Sequence, residues 1–332
     1  MSQPPTTSVT QPTLPSATTT VVAPSNESSR SVSSSDLNAA NSPEQRPLKK
    51  GMKGAAVLRL QILLDRANFS SGEIDSSFGQ KTVTAIAGYQ TAHKLPVTGQ
   101  ADAATWQALN AEPVEVLTNY TVANEDVAGP FEPIPEDMEQ KSKLSALGFV
   151  SPLEGLAEKF HASPKLLQQL NPGKSFDRAG EVLLVPNVAS SVAPVKAARV
   201  VVTKSDKTVR ALAADGTILA QFPASMGSAH DPLPLGHWKI KGVAKNPLFH
   251  YNPALFWDAN PSHSKAKIPP GPNNPVGVAW IDLSKEHYGI HGTPEPSKIS
   301  LTQSHGCIRL TNWDVQRLSH MVGPGVPADL EK

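Results

Sequence analysis

Hydrophobic periodicity changes along this chain of 332 residues, and the change constrains the fold more than any other feature. Between residues 48 and 109 apolar side chains recur at helical spacing, with Val57, Leu60 and Leu64 on one face. From residue 197 to about residue 326, short apolar runs alternate with turns rich in Gly and Pro, which is typical of strands. We therefore predict a multidomain chain in which a small all-α bundle precedes a mainly-β domain, either a sandwich or barrel-like.

Residues 117–188 are predicted to form a small α+β unit between these two domains. Runs at 120–122 and 182–185 favour strands, and two helices are indicated between them. The second helix has a clear start, because Ser163 can cap it and Pro164 suits its first turn. The predicted domains are 46–112, 117–188 and 197–326, with a short linker after residue 188.

The first 45 residues differ in composition from the remainder. More than half of them are Ser, Thr or Pro, and their longest apolar run is Val21-Val22-Ala23. Such a segment cannot bury a core, so we predict a disordered tail at residues 1–45. The tail has no apolar stretch of the kind found in secretory signals, so no signal peptide is visible in this sequence.

Charge and cysteine content limit the classes of partner and of function that this chain can have. The chain has 30 basic and 29 acidic side chains without a block of one sign, which argues against nucleic acid as a partner. It has no stretch of 18 apolar residues, so we expect no membrane span. One cysteine excludes an intramolecular disulfide and leaves the compartment open.

That cysteine, Cys307, lies in a short region suited to nucleophilic chemistry. A free thiol is mostly protonated at neutral pH and needs a base, which His291 or His305 could supply. Gly306 can adopt the geometry that turns backbone N–H groups towards a reacting carbonyl. Two alternatives are a small buried Cys and a zinc site made by the thiol and both imidazoles, although the His-x-Cys spacing is unusual for zinc.

The motifs around Cys307 resemble a known family. Ile290-His291-Gly292 followed by Ser304-His305-Gly306-Cys307-Ile308-Arg309 strongly resembles the active-site signature of the YkuD-type L,D-transpeptidases, which cross-link bacterial cell wall. The resemblance implies a mainly-β catalytic domain. It also implies that Cys307 is the nucleophile, that His291 is the general base, and that the Gly292 carbonyl orients His291 in place of a carboxylate.

The same resemblance, combined with side-chain chemistry, suggests further roles. The backbone N–H of Gly306 would stabilise the oxyanion, and His305 would support the turn or act as the alternative base. Arg309 could pair with a carboxylate of the substrate, and Ser304 and Tyr288 are further candidate substrate contacts. Asp314 is a poor candidate for a triad because it lies on the helix predicted after this motif.

Two more resemblances concern the N-terminal half. Residues 46–112 resemble the three-helix peptidoglycan-binding domain, and residues 117–188 resemble a LysM module with a long Pro-containing insertion. The first match rests on Gly51, Gly54, Leu58, Gln61, Leu63, Gly72, Asp75, Phe78, Gly79, Thr82, Tyr89, Gln90, Gly99, Asp102 and Thr105. Asp75 and Asp102 end two similar segments, and each is predicted to cap a helix.

Together these patterns predict a cysteine acyltransferase that cleaves the L,D bond of a tetrapeptide stem through a Cys307 thioester and passes the acyl group to an amine. We expect no metal and no cofactor. The expected partners are stem peptides and glycan strands, with a lipoprotein as another acceptor, and the expected location is the periplasm or cell wall. The alternatives are an L,D-carboxypeptidase that uses water and a wall-binding protein without catalysis.

Overall fold

A computed structural model describes residues 39–43, 46–190, 195–260, 262–303 and 306–332. Most of the tail predicted to be disordered, residues 1–38 and 44–45, lies outside this description. Residues 39–43 correct the prediction, because Ala39–Asn41 form a 3₁₀ turn in which Ala40 is buried. The Asn41 amide accepts from the backbone N–H of Leu117 at 2.8 Å and donates to its carbonyl at 3.1 Å, as a neighbouring strand would.

The helical domain contains three helices: α1 (Ala55–Arg66), α2 (Gln80–Ala92) and α3 (Ala103–Leu109). Their apolar faces meet in one core, as the spacing predicted. Asp102 caps α3 by accepting from the N–H of Thr105 at 2.9 Å. The same prediction for Asp75 is wrong: α2 begins after Gly79, and the Asp75 carboxylate instead closes a turn with the N–H of Ser77 at 2.8 Å.

The middle unit contains the predicted strand, two helices and strand, and a third, short helix precedes the two predicted ones. Its elements are β1 (Leu117–Thr121), α4 (Met138–Lys141), α5 (Pro152–Lys159), α6 (Pro164–Leu170) and β2 (Val182–Pro186). The two strands pair in antiparallel fashion, and Ser163 caps α6 as predicted. The short helix α4 lies in the insertion, whose Leu147 packs with Tyr251 and Ile268 of the β domain. The insertion is therefore a packed connection between the two units.

The C-terminal domain is a nine-stranded sheet with one long helix, α7 (Asn312–Met321), packed against it. The strands of the domain are β3 (Arg199–Thr203), β4 (Thr208–Leu212), β5 (Ile218–Pro223), β6 (Ser225–Met226), β7 (Gly236–Lys245), β8 (Phe249–Tyr251), β9 (Ala266–Ile268), β10 (Ala279–Leu283), β11 (Gly289–His291), β12 (Ile308–Arg309) and β13 (Pro327–Glu331). The sheet order is β5-β4-β3-β13-β7-β10-β11-β12-β6, while β8 and β9 form a separate hairpin. Only Ala224 separates β5 from β6, so the order closes on itself. The result is the barrel-like, mainly-β domain that the sequence predicted.

One buried carboxylate joins all three units. Asp65, on α1, is 1% exposed and accepts from Nη2 of Arg317 on α7 at 2.7 Å. Its other close contact is Nδ1 of His161, after α5, at 3.1 Å, and that imidazole stacks on Trp313. Burial alone would raise the pKa of Asp65, but Arg317 and His161 hold it well below its usual range. The carboxylate is thus ionised and tied to a cation from the catalytic domain.

Candidate active site

Two neighbouring parallel strands carry the predicted catalytic side chains. Strands β11 and β12 pair so that Ile290 lies opposite Ile308 and His291 lies opposite Arg309. Both isoleucines are fully buried in the core, so the alternation of side chains places His291 and Arg309 on the other face. Cys307 directly precedes β12 and, by the same alternation, lies on the side of His291. The pairing of β11 with β12 thus brings together residues at the two ends of the loop that connects these strands.

His291 is held tightly in one orientation. Its side chain is 4% exposed, and Nδ1 lies 2.7 Å from the carbonyl oxygen of Gly292. A carbonyl only accepts, so Nδ1 carries the hydrogen and Nε2 is left to accept a proton. On one side the ring stacks on Trp280, with centroids 5.4 Å apart. Burial and the charge of Arg309 lower the pKa of His291 to about 3, so the imidazole is neutral at pH 7.

The thiol of Cys307 is half-buried and protonated at neutral pH. Its Sγ lies 3.6 Å from the carbonyl oxygen of His287 and accepts from the N–H of Gly289. Burial raises the pKa of the thiol and so does Asp231, while the Gly289 N–H and Arg309 oppose the shift. Both the thiol of Cys307 and the imidazole of His291 are therefore neutral at pH 7.

The turn before Cys307 requires glycine. Gly306 has φ +92°, and a Cβ at this position would lie 2.6 Å from Cε1 of Tyr288. The Tyr288 ring therefore packs directly on the turn, and burial raises the pKa of its hydroxyl with a further contribution from Cys307. Ser304 and His305 lie outside the described residues, so their roles stay predictions.

Arg309 interacts electrostatically with the Cys307 thiol and with acidic side chains. Nη1 of Arg309 donates to the Gln303 carbonyl at 3.4 Å. Burial lowers the pKa of Arg309, and the groups that oppose this shift are Cys307, Glu295 and Asp258. The two carboxylates and Asp231 come from three separate loops, and the sequence contains no signal that would have grouped them. The guanidinium thus has both the Cys307 sulfur and two carboxylates among the groups that favour its charged form.

We expect replacement of Asp231 by Asn to make Cys307 more reactive. The Asp231 charge raises the pKa of the thiol, so its removal should lower that pKa and increase the thiolate fraction at pH 7. The measurement is the pH dependence of Cys307 alkylation by iodoacetamide, with Glu286→Gln as the control because that carboxylate is exposed and pairs with His287. Alkylation at pH 7 that is unchanged or slower in Asp231→Asn would contradict this prediction.

Two hydrogen bonds among the described residues show which groups pair with His291 and with Asp314. Nδ1 of His291 donates its hydrogen to the Gly292 carbonyl rather than to a carboxylate. Buried Asp314 accepts from the Ser70 hydroxyl at 2.9 Å. Within the described residues, no three His, Cys, Asp or Glu side chains are grouped so as to hold a metal ion. The same residues contain no helix with the length and apolarity needed to cross a bilayer.

Comparisons with known proteins agree with this architecture. A family model for the L,D-transpeptidase catalytic domain, YkuD, matches residues 197–330, and one for a putative peptidoglycan binding domain matches residues 53–109. These two domains define the class, a transpeptidase with an attached wall-binding domain. A putative L,D-transpeptidase YkuD from Bacillus licheniformis is 30% identical over 176 residues, which are 52% of this chain and 89% of that protein. Its namesake from Bacillus subtilis is 26% identical over 181 residues, 54% of this chain and 93% of that protein.

The chain therefore belongs to the YkuD family of L,D-transpeptidases, and its family supports peptidoglycan cross-linking. Both the catalytic and the peptidoglycan-binding resemblance are confirmed, whereas the LysM resemblance of residues 117–188 stays a prediction. Among solved structures, an L,D-transpeptidase from Mycobacterium smegmatis is 21% identical and covers 46% of this chain and 66% of that chain, with a TM-score of 0.33. An L,D-transpeptidase from Xylanimonas cellulosilytica is 15% identical, and the match covers 87% of this chain and 98% of that chain, with a TM-score of 0.37.

Proposed function

We propose that this protein is a cysteine acyltransferase that cleaves the L,D bond of a peptidoglycan tetrapeptide stem and transfers the acyl group to an amine. The observation that carries the proposal is the 2.7 Å contact between Nδ1 of His291 and the Gly292 carbonyl, on a strand paired with the one that follows Cys307. The contact leaves Nε2 as the proton acceptor on the face where the thiol lies. A base oriented by a carbonyl carries no added charge, which fits the neutral pair described above.

The reaction has two acyl-transfer steps. In the first, Sγ of Cys307 bonds to the carbonyl carbon of the third stem residue while its proton passes to Nε2 of His291. The backbone N–H of Gly306 is the proposed donor to the developing oxyanion, an effect typically worth about 3 kcal/mol. The C–N bond to the terminal D-alanine then breaks, and the imidazolium returns the proton to the leaving amine. A thioester and free D-alanine result.

In the second step an amine attacks the thioester, His291 accepts the amine proton, and the thiol is released with that proton. The amine is expected on a neighbouring stem, with a lipoprotein lysine as the alternative. Arg309 is suited to hold a stem carboxylate, because a guanidinium binds carboxylates through two parallel hydrogen bonds. Tyr288 would form a wall of the cleft, Ser304 would be a further contact, and His305 would support the turn or replace His291 as base.

The substrate places the protein outside the cytoplasm. We propose a periplasmic or cell-wall location, where the domain matched at residues 53–109 would hold glycan strands or stems near the catalytic domain. Glycan binding by residues 117–188 is a separate proposal, and it rests on the resemblance of their strand–helix–helix–strand order to LysM modules.

Product analysis on defined muropeptides tests this function. Wild-type protein incubated with a disaccharide tetrapeptide should release D-alanine and form a cross-linked dimer, and mass spectrometry should show both. An L,D-carboxypeptidase would use the same groups with water and release only the tripeptide, so tripeptide without dimer would overturn the transferase assignment. A solved relative from Mycobacterium tuberculosis carries a faropenem-derived adduct, so intact-mass detection of a faropenem adduct on Cys307 gives an independent readout of the nucleophile.

A further inference from the structure

The buried side chain of Asn312 lies between the middle unit and the backbone that orients the catalytic base. It is 1% exposed and is the first residue of α7. Its Nδ2 donates to Oε1 of Glu158 at 2.9 Å and to the Pro272 carbonyl at 3.1 Å, and its Oδ1 accepts from the N–H of Val278 at 3.2 Å. Both amide hydrogens have acceptors and the oxygen has a donor, so the orientation of the amide is determined.

The other side of the same amide touches the glycine that holds the base. A Cβ on Gly292 would lie 2.2 Å from Oδ1 of Asn312, and a Cβ on Gly277 would lie 2.1 Å from the same oxygen. The amide therefore packs against the α-carbon of Gly292, whose carbonyl accepts from His291. A continuous series of contacts thus runs from Glu158, through Asn312 and Gly292, to the imidazole.

Glu158 is an unusual residue for a purely structural contact. It lies on α5, in the wall of a cleft of about 610 Å³ between the middle unit and the catalytic domain. Burial raises the pKa of Glu158 to about 8, Asn312 opposes the shift, and Glu154 adds to it. Among the described residues Glu158 has no ion pair, and the neighbouring cation Lys159 pairs with Asp126. Glu158 is half-buried, and the Asn312 amide is the hydrogen-bond partner that compensates for its lost hydration.

We propose that Glu158 is a positioning residue for His291: it fixes the Asn312 amide, which packs on Gly292 and fixes the carbonyl that orients the imidazole. The inference rests on the proposed role of His291 as the base. It gives the middle unit a part in catalysis that is separate from any binding of the cell wall. Loss of the contact should disturb proton transfer and leave substrate binding intact, because Glu158 contacts Asn312 rather than the thiol.

Three variants of the full chain test the proposal. Glu158→Met keeps the volume of the side chain but removes the acceptor, and Glu158→Gln keeps an acceptor for Asn312. Glu154→Met is the matched control on the same helix, because Glu154 contacts the Asn273 amide at 3.0 Å instead of Asn312. The measurements are kcat and KM on a tetrapeptide substrate and the pH profile of Cys307 alkylation by iodoacetamide.

Glu158→Met should lower kcat about tenfold with KM within about twofold, as expected for a displaced base, and should change the alkylation profile. Glu158→Gln should restore kcat to within about twofold of wild type, and Glu154→Met should stay in that range. Wild-type kcat and alkylation in Glu158→Met would overturn the proposal. Equal losses in Glu158→Met and Glu154→Met would also overturn it, because they would indicate only that α5 must dock.

Two more variants keep the test decisive. If Glu158→Met fails to fold by circular dichroism, Asn312→Asp replaces it, since Asp still accepts from Val278 but no longer donates to Glu158. Wild-type kcat in that variant would overturn the proposal. His291→Ala separates this inference from the proposed function: an alkylation profile equal to wild type would refute His291 as the base. A changed profile in His291→Ala with an unchanged one in Glu158→Met would refute only the positioning role.

Discussion

Replacing Cys307 with Ala should abolish product formation, with kcat reduced at least about a thousandfold. The reason is that no other side chain can form the proposed thioester: the chain has a single cysteine, and the proposed base, His291, lies on the strand next to the one that follows it. Cys307→Ala leaves His291 and the proposed oxyanion donor Gly306 in place, but without the thiol the proposed covalent intermediate cannot form. The measurement is D-alanine release and dimer formation by mass spectrometry, together with intact-mass analysis for a covalent adduct.

Two measurements serve as controls for Cys307→Ala: its melting temperature and its binding to isolated cell wall. Cys307 is half-buried and its hydrogen bonds are those of a weak thiol donor and acceptor, so the Ala variant should melt near the wild-type temperature. Binding to isolated cell wall should persist, because the peptidoglycan-binding domain is formed by residues far from the thiol in sequence. Retained turnover in the Ala variant would show that another group is the nucleophile.

The second large effect concerns stability, and it arises where the three units meet. Asp65→Asn should reduce the free energy of unfolding by about 3–5 kcal/mol, the usual cost when one partner of a buried ion pair is removed. The variant leaves the guanidinium of Arg317, which is 18% exposed, without its carboxylate. His161 would lose the same partner. Urea denaturation of the wild type and the variant measures the difference.

A surface ion pair provides the matched control. Asp282→Asn removes the partner of Lys241, and the two side chains are 37% and 61% exposed, so the change should cost less than about 1 kcal/mol. The pH dependence gives a second check. The pKa of Asp65 is depressed in the folded state, so its contribution is complete above the ordinary Asp pKa of about 3.9 and is lost as the pH falls below it. A cost for Asp65→Asn as small as that for Asp282→Asn would contradict the prediction.

Local rules account for the elements that the sequence predicted well. Apolar spacing located α1 and α2 because each helix buries a single face, and Ser163-Pro164 located the start of α6 because a cap and a fixed φ act within one turn. Strand β12 was missed, since two residues form a strand only when β11 and β6 pair with them. The cap predicted at Asp75 failed for a related reason, because the carboxylate found nearer partners in its own turn.

The same distinction between local rules and tertiary contacts applies to the active site. The sequence by itself indicated that a single thiol, a candidate base and a glycine belong to one short region, while the φ of +92° that requires glycine at 306 is known only from the structure. Only the tertiary structure decided that Trp280 stacks on His291, that Glu295 and Asp258 interact with Arg309, and that Glu158 reaches Gly292 through Asn312. These contacts join residues distant in sequence, and strand pairing and domain docking, which local patterns do not encode, bring them together.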